Sequence, residues 1–189
     1  MIPDIMDRRS FIQLPLVSAL IGGVQDIPGE RAGKGIRVSS GSDRFGEELL
    51  IMGGKFDCLV SAKDTGGDLC IYNTVRHEKG GPPLHLHHSQ DEWFYVIEGQ
   101  FIVKVGEEMM NLGPGDSAFA PRKIPHAFAM TGGEPARMLV LFQPAGSMEG
   151  FFREMSRYGP SIPENPEEKM RELWRKHGME ITGPPLRIT

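Results

Sequence analysis

Between residues 55 and 143 the sequence breaks into short runs that alternate apolar and polar residues, cut by clusters of Gly, Pro, Asn and Asp. The runs are 55–62, 69–76, 84–88, 92–98, 100–105, 108–112, 117–120, 127–131 and 136–143. Period-two alternation over four to eight residues is the signature of a half-buried strand, and turn residues at such regular spacing leave no room for crossover helices. The expected class is therefore all-β, a sandwich or jelly roll. With 24 glycines and 15 prolines in 189 residues, the chain has the turn chemistry this requires. That length fits one domain.

The period changes past residue 145. In "SMEGFFREMSRY", Met148, Phe151, Phe152 and Met155 fall on one helical face. "NPEEKMRELWRKHG" predicts a second helix, with Asn165 as N-cap, Pro166 in the first turn, Glu167 and Glu168 at the positive end and Gly178 as the stop. Met170, Leu173, Trp174 and His177 share its apolar face, and His177 is expected to pack or cap rather than to bind a ligand. His77, in a loop, is expected to be solvated. The division expected is an arm or signal plus linker over 1–35, a barrel over 36–145 and a helical extension over 146–189, its short helices packed on the outside of the barrel.

The formal net charge of −4 gives no basic face for a nucleic acid. No segment reaches the length of a membrane span. Near the N-terminus, "DRRSFIQ" precedes an apolar run and resembles the twin-arginine export signal. That resemblance implies export to the periplasm or beyond. The competing reading is an arm, in a cytoplasmic protein, that packs through Phe11, Ile12, Leu14, Leu16 and Leu20. Cys58 and Cys70 lie in one predicted hairpin turning at 64–67. Its simplest register puts the thiols out of step and on opposite faces, so two buried free thiols are expected.

Three of the six histidines fall in "GGPPLHLHHSQDEWFYVIEG". In a strand His85 and His87 face one way, and Leu86 and His88 the other. Glu92 begins the next strand, and His126 follows a Pro-bounded turn in "PRKIPHAFAM". Three neutral imidazole nitrogens and one carboxylate suit a borderline divalent ion: Fe, Mn, Ni, Co, Cu or Zn.

These motifs resemble those of the cupins. The first cupin motif is met by His85, Leu86, His87, four residues, Glu92, six residues and Gly99; Gly80 stands one place late and Lys79 holds the strict glycine position. The second is met by Gly115, five residues, Pro121 and then His126, with Lys123 where Gly is usual and Met130 where Asn is usual. The style is that of single-domain, quercetin 2,3-dioxygenase-like bacterial cupins. The resemblance implies a double-stranded β-helix with a metal inside one end, held by His85, His87, Glu92 and His126. It also implies a homodimer, and an open jelly roll leaves strand edges for one.

Three classes of function are compatible with this donor set. The first is a dioxygenase for a small aromatic or enolisable substrate, with Glu92 as the base, its pKa raised by an apolar wall. Tyr72, Phe94, Phe119, Phe128 and Phe142 are the candidates for that wall. The second is an isomerase or lyase on a small polar substrate, drawing on Arg76 or Lys104. The third is a non-enzymatic small-molecule binder.

Overall fold

The computed structural model describes residues 29–133, 135–159 and 167–188. The twin-arginine-like segment, and Asn165 and Pro166 as helix starters, lie outside the described residues. Among the described residues, eleven strands form two antiparallel sheets. The first sheet runs β1 (Leu49–Ile51), β2 (Gly54–Val60), β3 (Cys70–Arg76), β10 (Ala136–Gln143), β5 (Asp91–Glu98), β8 (Ser117–Ala120). The second runs β11 (Met179–Pro185), β4 (Pro83–His87), β9 (His126–Met130), β6 (Phe101–Val105), β7 (Glu108–Leu112). Sequence neighbours β4 and β5 sit in different sheets, which is the jelly-roll exchange.

Alternation places the core between the sheets. Cys70, Tyr72, Thr74 and Arg76 of β3 point inward, as do Glu92, Phe94 and Val96 of β5, and Met138, Val140 and Phe142 of β10. His85 and His87 of β4 face them from the other sheet.

Three expectations need correction. The hairpin at 64–67 is not a tight turn. Ser61 caps a short helix, α1 (Ala62–Thr65), in a capping box with Asp64, and Gly66 closes it at φ 65. A Cβ at Gly66 would lie 2.2 Å from the carbonyl oxygen of Gly29, so only glycine fits there. A register shift between Cys58 and Val60 then pairs Cys58 with Tyr72, which puts both thiols on the core side of the sheet. Both remain free cysteines, and burial pushes the Cys58 thiol up to about 12. Neither is a nucleophile at neutral pH.

The extension is also not wholly helical, nor only external. After α2 (Met148–Met155) and α3 (Glu168–Lys176), the chain returns as β11 and pairs with β4: Met179 opposite His87, and Ile181 opposite His85. The helices bury Met148, Phe151, Phe152, Met155, Met170, Leu173 and Trp174 against the end of the barrel. His177 caps α3, its Nδ1 3.1 Å from Ser147 Oγ.

Candidate metal centre

His85 and His126 stand directly opposite each other in the β4–β9 register. Glu92 reaches them from the facing sheet, so the site bridges the two layers of the sandwich. The turn before His126 is held at both ends. Arg122 clamps Asp91, its backbone N–H at 2.8 Å and its guanidinium Nε at 3.0 Å. Lys123 donates its N–H to the carbonyl of His87 at 2.7 Å. Lys123 sits at φ 67, so the turn keeps the left-handed shape a glycine would adopt freely. A side chain in that region costs roughly 1–2 kcal/mol.

One donor atom from each of His85, His87, Glu92 and His126 lies within 4.8 Å of every other, and all four residues are buried. Glu92 Oε2 is 2.8 Å from His126 Nε2, 3.2 Å from His87 Nε2 and 3.9 Å from His85 Nε2. His85 Nδ1 lies 2.8 Å from the Pro83 carbonyl and His126 Nδ1 2.8 Å from that of Ile124. Those carbonyls accept the Nδ1 protons and turn both Nε2 lone pairs toward the centre, as supporting carbonyls do for metal-bound histidines. Neither ring nitrogen of buried His87 has a hydrogen-bond partner. A buried polar group without a partner is costly, and an ion at this point would satisfy it. The set therefore fits a transition metal with open coordination positions.

The electrostatics correct one expectation. Burial pushes the Glu92 carboxyl up, but the hydrogen bond from His126 and the close approach of the His87 ring outweigh it and hold its pKa well below the usual carboxylate range. His126 moves the other way: burial lowers it, and the bond to Glu92 raises it above the ordinary value overall. His85 is lowered by burial and by its two histidine neighbours. The apolar wall alone thus does not set the charge of Glu92; its imidazole partners do.

Metal must displace the proton that Glu92 and His126 share, so affinity depends on pH. His126 binds this proton more tightly than a free histidine. Apparent affinity is expected to fall as pH drops through the histidine range, with release of about one proton per ion at low pH. Calorimetric titration with Mn(II) at pH 6 and pH 8 measures both. Equal affinity at the two values would contradict the proton-sharing pair.

The histidines open onto a narrow cavity between the sheets. Phe128, Val140 and Phe142 line it from the sheets, and Phe151, Phe152, Trp174 and Met179 from the C-terminal segment. Of the predicted wall, Phe128 and Phe142 line the cavity beside the donors. Tyr72 and Phe94 pack in the layer behind, Tyr72 4.5 Å from Phe152 and Phe94 5.8 Å from Phe128, ring centre to ring centre. Phe119 does not belong to the wall. Ala118 and Ala120 take the inward positions of β8, and Phe119 is turned out, 55% exposed. Lys104 likewise sits on the outward face of β6, while Arg76 is buried in the cavity wall. His88 is exposed and faces away from the centre.

Sequence reasoning missed Trp174 and Met179 as part of the site. Trp174 lies edge-on to His85, ring centres 4.8 Å apart. The signal was present in "MEITGPP", where Met179 and Ile181 alternate with polar residues at strand period.

Residues 74–142 match the family model Cupin_2, the cupin domain. That match, together with the two-sheet fold, supports the cupin superfamily. A curated relative, the uncharacterized protein MJ1618 of Methanocaldococcus jannaschii, is 30% identical over 66 residues, covering 35% of this chain and 53% of that protein. The chain thus spans about half the length of the curated relative it matches. Among solved structures, an RmlC-like cupin from Shewanella frigidimarina is 27% identical, with a TM-score of 0.44, covering 55% of this chain and 90% of that one. The polyketide cyclase RemF from Streptomyces resistomycificus is 23% identical, with a TM-score of 0.48, covering 58% and 80%.

Proposed function

We propose that this protein is a metal-dependent oxidoreductase, a dioxygenase acting on a small aromatic or enolisable substrate. The observation that carries the reading is the placement of a buried three-His, one-Glu set at the wall of a largely apolar, aromatic-lined cavity. When bound, a divalent transition metal supplies Lewis acidity and open positions for a substrate oxygen and dioxygen. The chain supplies the rest. His85 and His126 present oriented nitrogens, fixed by the Pro83 and Ile124 carbonyls. Phe142 and Trp174 flank the donors, exclude water and stack a planar ring. Glu92, kept ionised by its imidazole neighbours, accepts the substrate hydroxyl proton and holds it.

Dioxygen uptake by the Mn- or Fe-loaded protein with a flavonol is the test. Uptake that depends on the flavonol and is lost in His126→Ala is expected. Absence of uptake, with turnover of a sugar or keto acid, would replace this reading with an isomerase or lyase. Buried Arg76, a donor for a polar substrate, favours that second reading. We further propose a homodimer formed through an outer strand such as β8, where Phe119 is exposed. A monomer mass by light scattering across the micromolar range would refute it.

A further inference from the structure

Arg76 is the largest fully buried side chain among the described residues, with no measurable exposure. A guanidinium without water needs an anion. Among the described residues the carboxylate whose charge acts on it is Glu78, an exposed residue just past β3, and Nε and Nη1 have no hydrogen-bond partner. Its one bond is from Nη2 to the Met52 carbonyl. The surrounding wall is made for the group. Gly54 stands directly opposite Arg76 in the β2–β3 register, and a Cβ there would come within 3.0 Å of Nη1. The Phe128 ring lies 5.5 Å below the guanidinium carbon, a cation–π arrangement. Burial lowers the Arg76 pKa to about 10, which still leaves it charged at neutral pH.

Arg76 is also far from the metal centre, although both line the same cavity. On β10, Glu92 pairs with Phe142 and Arg76 with Ala136, six residues apart. At the strand rise this separates the two backbones by about 20 Å along the sheet. Phe128 and Val140 lie along the cavity between them. The guanidinium reaches over the Phe128 ring, and Phe128 stands two residues from His126 on β9, so a molecule that engages both groups must extend past Phe128.

We propose that Arg76 is the anion receptor of the cavity, and that the molecule bound there is an elongated monocarboxylate whose apolar body lies along Phe128 and Val140 toward the metal centre. The placement of its far end rests on the function proposed above; the carboxylate site does not. A carboxylate matches the guanidinium fork with two parallel N–H···O bonds, and Nε and Nη1 are the unused donors.

The test is calorimetric binding of straight-chain carboxylates from hexanoate to dodecanoate to the full-length, metal-depleted protein, each against the alcohol of equal length. At least one carboxylate should bind about tenfold or more tightly than its alcohol. Arg76→Met should lose about tenfold or more in carboxylate affinity while leaving alcohol affinity unchanged, and Arg76→Lys should recover part of the loss. Arg76→Met should melt no lower than the wild type, because it removes an unpaired buried charge. Equal binding of carboxylate and alcohol, no binding by any chain length, or an Arg76→Met protein that binds like the wild type would each overturn the receptor. If Arg76→Met fails to fold, the wild-type ratio and Arg76→Lys decide. Metal uptake is measured separately. A protein that takes up no metal yet binds carboxylate through Arg76 would sink the oxidoreductase reading and leave the receptor standing.

Discussion

Replacing His87 with alanine is expected to abolish metal binding and leave the metal-free fold intact. His87 is fully buried, and neither ring nitrogen has a hydrogen-bond partner. Its contacts include a 3.2 Å approach to Glu92, an edge contact with His85 at 5.3 Å, a stack on His126 at 5.4 Å and a tilted contact with Phe142 at 5.5 Å. Losing one of four donors should weaken binding by more than about 100-fold, since even supporting residues cost 10–100-fold. The fold survives because the sheets rest on apolar residues such as Phe94, Val96, Met138 and Val140, not on the ion. His126→Ala should lose metal equally but cost more stability, about 3 kcal/mol, because it strips the buried Glu92 of its closest partner. Elemental analysis of untagged protein and far-UV circular dichroism measure the two effects. A metal-free His87→Ala protein with a collapsed dichroism signal would make the centre structural instead of catalytic.

The donors were legible in the sequence because strand alternation is local. His85 and His87 had to share a face, and the Pro-bounded turn delivered His126 to a neighbouring strand. What the sequence did not reveal was that Glu92 arrives from the other sheet, since a three-residue connection reads equally well as a hairpin. The register at Cys58 was hidden for a related reason. A capped helical turn and a bulge add residues that no alternation pattern counts, and one residue of slip changes which face the thiols share. Phe119 was misplaced because in β8 the inward positions belong to two alanines; composition favours the aromatic, packing the small residue. The charge on Glu92 depended on distances to two imidazoles, which no spacing rule supplies. The role of the C-terminal segment was missed because β11 pairs with β4 from almost a hundred residues away, and only three dimensions join them.

That long-range pairing makes Trp174 the residue on which the closed end of the cavity depends most. The indole is 2% exposed and wedged between His85 at 4.8 Å and Phe151 at 4.9 Å, both edge-on. It thereby ties α3 to α2 and to the metal-bearing strand β4. Trp174→Ala removes the largest side chain of that contact and leaves a cavity that backbone paired on one side cannot collapse to fill. The expected loss is about 3–5 kcal/mol, read as a fall in the urea midpoint at unchanged slope. Trp174→Phe, which keeps an edge-on ring, should lose less than half of that. Amide exchange should rise first in β11, which among the described residues has β4 alone as a sheet neighbour. Metal affinity should change little, because Trp174 donates nothing to the centre and the Pro83 carbonyl still orients His85. A loss below about 1 kcal/mol with unchanged exchange in β11 would mean that the C-terminal segment lies on the barrel without sharing its core.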